Sequence, residues 1–183
     1  MSLPQLKHPG YTIEDWKTWE GRWELINGVA YDMTPPPSFE HQRVSIRLGS
    51  AILNALEEGK QKKGGGYCEV VAAPMDLYLP GEQSVYQPDL MVICDPSMIT
   101  QRGIEGIPDL VVEIFSPSTG NRDMTRKRWS YEAAGIPEYL IVDPEERVAV
   151  LLRLEGGRYE EAARIEWGAV VALLNGRLPI ILG

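Results

Sequence analysis

Two apolar runs, each broken by a single carboxylate, constrain this chain more than any other feature. Asp89 stands directly before Leu90-Met91-Val92-Ile93, and Glu113 stands inside Val111-Val112-Glu113-Ile114-Phe115. Nearly continuous apolar runs of this length suit strands buried on both faces, which need covering layers on either side. An ionised carboxylate in such a strand is costly unless it is paired or meets a cation. If the two strands are neighbours, the carboxylates converge on one site, and oxygen ligands of this kind suit Mg²⁺ or Mn²⁺ rather than zinc. Salt-bridged carboxylates at strand ends are the competing reading. It fits Asp89, beside Pro88, better than Glu113, which is in mid-strand.

The rest of the chain frames these runs. Thr12-Ile13-Glu14-Asp15 reads as a capping box that opens a short helix through Trp19. Asn27-Gly28, between the arms Arg22–Ile26 and Val29–Tyr31, reads as a hairpin turn, with Glu24 facing opposite to Trp23 and Leu25. Met33 to Pro37 is rigid and extended. Ser38 caps a long helix in which Val44, Leu48, Ile52 and Ala55 form a buried stripe that His41 extends backward. Lys60 to Gly66 ends that helix. Tyr67 to Leu79 reads as one strand interrupted at Pro74, followed by strands at Gln87–Cys94 and Pro108–Phe115. Ser116 to Asn121 reads as a loop, and Arg122 to Ala134 as a helix capped by Asn121 and stopped by Gly135. A strand at Glu138–Val142, a second hairpin over Val148–Ile165, and turns at Asn175-Gly176 and Pro179 complete the chain.

The 183 residues give a single domain over 1–183, with 44% hydrophobic and 24% charged residues. No apolar run is long enough to span a bilayer, and MSLPQLKHPG lacks the pattern of a signal peptide, so a cytoplasmic location is expected. Cys68 and Cys94 have no metal-type spacing and read as buried, reduced thiols. The net charge of −8 argues against a broad basic surface for nucleic acid. The five tryptophans read as core or interface aromatics, and the spare apolar edges allow a homo-oligomer.

Pro88-Asp89 followed by Glu113-Ile114-Phe115 resembles the PD-(D/E)XK motif of restriction-endonuclease-like proteins. More closely, the chain from about Trp16 to Tyr159 resembles the Uma-type family within that superfamily. The resemblance rests on Trp23–Gly28, Thr34–Pro36 with His41, Gln87-Pro88-Asp89 and Pro108–Glu113. It continues through Ser116–Thr119, Lys127, Tyr131, Gly135–Tyr139 and Val142-Asp143-Pro144. It implies an α/β fold: a helix-strand-strand-strand-helix-strand core, a mixed central sheet flanked by helices, and N- and C-terminal β-hairpins.

The resemblance also implies a Mg²⁺- or Mn²⁺-dependent nuclease acting on DNA. Asp89, Glu113 and the Ile114 carbonyl would hold the metal, and Glu24 would join the acidic cluster. The superfamily's lysine two residues after Glu113 is here Phe115. Lys127, on the following helix, resembles the migrated lysine of the closer family; an exposed ion pair with Asp123 is its alternative. His41 and Tyr131 are accessory candidates that packing or capping would also explain. Arg43, Arg47, Arg122, Arg126 and Arg128 could supply local positive charge. A non-catalytic assembly or binding domain that keeps the fold, and hydrolysis of a substrate other than DNA, are the other functional readings.

Overall fold

The computed structural model describes residues 10–34, 36–61, 66–115 and 120–183, and for residues 120–124 the backbone only. The elements are, in chain order, α1 (Ile13–Trp16), β1 (Trp23–Ile26), β2 (Val29–Asp32), α2 (Phe39–Lys60), β3 (Glu69–Ala72) and β4 (Leu77–Tyr78). Then follow β5 (Leu90–Ile93), a 3-10 turn (Pro96–Met98), β6 (Ile104–Glu105), β7 (Leu110–Ile114), α3 (Gly120–Ala134) and β8 (Glu138–Asp143). β9 (Val148–Glu155), β10 (Arg158–Glu166), β11 (Val170–Leu173) and β12 (Leu178–Ile181) end the chain. The helix-strand-strand-strand-helix-strand core is α2, β3, β5, β7, α3 and β8.

A six-stranded central sheet runs in the order β10-β9-β8-β7-β5-β3. β7 and β8 are parallel, joined across by α3, and the other pairs are antiparallel, so the sheet is mixed. Leu90 and Val92 of β5, with Leu110, Val112 and Ile114 of β7, pack under Val44, Leu48, Ile52 and Leu56 of α2. Met91, Ile93 and Val111 belong to the opposite layer, with Tyr131 of α3. Strand alternation therefore puts Glu113 on the α3 side of the sheet. The β11–β12 hairpin closes the α2 side. Fully buried Glu138 fastens it, accepting the amides of Leu174 and Asn175 at 2.7 and 2.8 Å and pairing with Arg153 at 2.9 Å.

Several local expectations need correction. α1 has its capping box but ends at Trp16, and Trp19 turns back to meet the rings of Tyr11 and Trp23 edge-on. The interruption expected at Pro74 is present, and it separates Tyr67–Leu79 into two strands, β3 and β4, that do not continue one ladder. Pro74 has no amide to continue the ladder, and β4 instead pairs in parallel with β6. α3 begins at Gly120, so Asn121 lies inside the helix. Cys68 and Cys94 are bonded as a disulfide and are only half-buried. The Glu69↔Ile93 register sets these two positions opposite each other, which no spacing along the chain reveals. The expectations for residues 1–9, Pro35, the glycine stop at 64–65, Ser116–Thr119, and the Arg122 and Asp123 side chains lie outside the described residues.

Ile52 is fully buried at the centre of the α2 stripe. Truncating Ile52→Ala should lower unfolding free energy by about 2–5 kcal/mol through lost burial and a cavity. Urea denaturation measures this, and a loss below 1 kcal/mol or so would mean that α2 does not anchor the sheet.

Candidate functional site

Three chain segments bring charge to one place. Glu24 comes from β1, whose backbone is tied to Val85 by reciprocal Leu25–Val85 hydrogen bonds of 2.9 and 2.7 Å. Glu113 comes from β7. Lys127 and Tyr131 come from successive turns of α3 and share its inner face. α3 is held against the sheet from outside, where Arg128 donates to the Tyr159 carbonyl at 3.1 Å and Glu132 accepts the Tyr159 amide at 2.6 Å.

The Lys127 ammonium lies 2.8 Å from Glu24 Oε1 and 2.9 Å from Glu113 Oε1, with its side chain only 8% exposed. Tyr131 donates its hydroxyl to the same Glu113 oxygen at 2.8 Å, and its ring packs against Tyr86 and Tyr139. Glu24 Oε1 also accepts the Gln87 amide at 2.7 Å. Asp89, one residue before β5, stands opposite Glu113 by the Leu90↔Val112 register. Its Oδ2 accepts the Ile114 amide at 2.7 Å and lies 3.2 Å from His41 Nε2, the first buried residue of α2. The structure thus brings together all of Glu24, His41, Asp89, Glu113, Ile114, Lys127 and Tyr131. Phe115 follows the last residue of β7, and its amide bonds to the Val142 carbonyl.

The cluster is largely withdrawn from solvent, and Asp89 is the most accessible of its charged groups, with its side chain 18% exposed. The expected arginine cluster is dispersed. Arg43 lies on the outer face of α2 with Glu40, Arg128 is spent on the β10 backbone, and Arg126 sits on the Tyr31 ring and bonds its hydroxyl. Gln87 was given no role from sequence, yet its amide holds Glu24 and its side chain links Arg22 to Asp76. Its place beside Pro88-Asp89 was the one available signal.

Electrostatics follow from this crowding. Burial pushes Glu113 up to about 7; the Lys127 charge opposes the shift, and the Asp89 and Glu24 charges add to it. Burial works against a charged Lys127, but Glu113 and Glu24 outweigh it and hold the amine protonated. Burial likewise disfavours the His41 imidazolium, and its hydrogen bond to Asp89 with the charges of Asp89 and Glu113 more than offsets that, so its pKa is raised. Three carboxylates then face one lysine and one histidine, leaving net negative charge when both carboxylates on the strands ionise.

The donor set fits a hard divalent cation. Among the described residues, no hydrogen bond takes Asp89 Oδ1 or Glu113 Oε2, because the partners fall on the other oxygen of each. No group of three or more His, Cys, Asp or Glu side chains among them forms a ready-made metal cage. Mg²⁺ is commonly held by one or two carboxylates and several waters, so two carboxylates and a backbone carbonyl suffice.

Comparisons with known proteins bear on the family and the fold. Residues 12–175 match the family model Uma2, described as putative restriction endonuclease. An uncharacterised protein of Synechocystis is 30% identical over 144 residues, covering 76% of this chain and 72% of its own. The crystal structure of a putative nuclease of DUF820 from Anabaena variabilis superposes with a TM-score of 0.72 at 17% identity, over 94% of this chain and 95% of that one. That likeness shows the shared fold, an α/β domain with a mixed central sheet flanked by helices. Among the described residues no helix is long and apolar enough to cross a membrane.

Glu113 and His41 make a pH prediction. Both pKa values are raised on folding, so each contributes stability that is complete below its unfolded value and lost as pH rises through its folded value. Metal-free protein should therefore lose thermal stability between pH 4.5 and about 7 through Glu113. The Glu113→Gln variant should lose less over that window, and Mn²⁺ should raise the wild-type midpoint more at pH 8 than at pH 5. Parallel pH profiles for wild type and variant in chelator would contradict the buried, raised carboxylate.

Proposed function

Because the chain belongs to the Uma2 family of putative restriction endonucleases, we propose that it hydrolyses phosphodiester bonds in DNA, using Mg²⁺ or Mn²⁺. The observation that carries this reading is the buried Lys127 ammonium between Glu24 and Glu113, next to Asp89. Asp89, Glu113 and the Ile114 carbonyl would hold the cation. Bound there, it supplies positive charge to the scissile phosphate and lowers the pKa of the attacking water.

The protein's own groups divide the remaining work. Lys127 stays protonated, so it cannot take a proton from water and acts instead as a fixed cation and donor toward charge that develops on the phosphoryl oxygens. Glu24 and Tyr131 are positioning residues, one for the ammonium and one for the Glu113 carboxylate. His41 fixes Asp89 and offsets its charge before the metal arrives. Substrate would enter at Asp89, the accessible side of the cluster.

The net charge of −8 and the dispersed arginines favour a second reading, a domain that keeps this fold for assembly or binding. Cleavage assays on supercoiled and single-stranded DNA separate the two. Activity should need divalent metal, stop in chelator and weaken steeply with salt. Lys127→Ala should lower turnover by roughly 10²–10³-fold, the scale of losing one donor to transition-state charge, with Mn²⁺ affinity little changed. Cleavage that survives chelator, or a fully active Lys127→Ala protein, would end the proposal. No cleavage with any metal would favour the assembly domain.

A further inference from the structure

The outward face of α2 is not built for water. Phe39, Ile46 and Leu53 recur every seven residues on it and are 82%, 70% and 42% exposed, while Val44, Leu48, Ile52 and Leu56 fill the core from the other side. Arg43, Ser50 and Glu57 interleave with them, so the six positions alternate by four and three and form one straight seam. From Phe39 to Glu57 that seam runs roughly 27 Å, at the rise of an α-helix. Large apolar groups in such an array mark a protein contact rather than a solvated face.

We propose that this seam is a homodimer contact in which α2 packs antiparallel on α2 of a second copy. A twofold contact requires each pairing to occur twice, once in each direction. Reversing the seam on itself meets that condition. Ile46 falls opposite the small Ser50, Arg43 falls beside Leu53 with its guanidinium toward Glu57, and Phe39 lies over the Glu57 stem. Arg43 already pairs with Glu40, and Glu57 with Lys60, at exposed positions. The two ends of the helix therefore carry complementary clusters that an antiparallel partner joins. A parallel partner would set Arg43 against Arg43 and Glu57 against Glu57. The contact lies on the face of α2 opposite His41, so it stands whether or not the chain is a nuclease.

Sedimentation equilibrium of the full chain tests this without any activity assay. The wild type should dimerise, and Ile46→Arg should weaken association by about tenfold or more, the scale of a central interface anchor, with unchanged circular dichroism. Arg43→Glu and Glu57→Arg should each weaken the dimer alone, and the double variant should recover it. A wild type that stays monomeric into the high micromolar range overturns the proposal, and so does a dimer indifferent to Ile46→Arg. Single charge variants as tight as the wild type overturn the antiparallel arrangement.

Discussion

An ammonium withdrawn from water must be met by negative charge, and in this fold Lys127 is met by two glutamates from segments that are otherwise distant in the chain. Breaking such a pair from one side leaves an uncompensated buried charge, at a cost of about 3–5 kcal/mol. The rest of the architecture can be read as what keeps the pair closed. β7 supplies Glu113, the parallel β7–α3–β8 crossover lays Lys127 over it, and the β9–β10 hairpin pins α3 from outside. The N-terminal hairpin lies outside the central sheet, and Glu24 is one of the few points at which it is tied to that sheet's chemistry.

That arrangement also explains why the absence of a lysine on the strand is tolerable. Position 115 lies just past the end of β7, where its amide serves the Val142 carbonyl. A cation delivered from α3 reaches the same carboxylate from above the sheet and brings Tyr131 with it one turn later. Lys127 and His41 offset part of the charge of Glu24, Asp89 and Glu113, and the remainder is the negative charge on which the proposed cation site relies.

Much of this was legible in the sequence. The two acidic interruptions, the Asn27-Gly28 turn, the Ser38 cap and the α2 stripe all report local periodicity or local chemistry, and such signals survive without coordinates. Register does not survive. The pairing of Cys68 with Cys94, the parallel pairing of β4 with β6 and the grip of Gln87 on Glu24 depend on which segments meet in the fold. Carboxylates also mislead when read alone. Asp109 follows a proline as Asp89 does, yet it only caps β5 through the Cys94 amide, and buried Glu138 fastens the C-terminal hairpin. What separates Asp89 and Glu113 from these is that they face each other across β5 and β7, with His41 on the one and Lys127 on the other.

Under the proposed function, the Asp89–Glu113 pair is a divalent-cation site with Lys127 as its resident counter-charge. A crystal grown with Mn²⁺ and measured for anomalous scattering tests it most directly. One strong peak held by the Asp89 and Glu113 carboxylates is expected, with the Lys127 ammonium still beside Glu24. A peak bound elsewhere, or none while Lys127 keeps both glutamates, would contradict it.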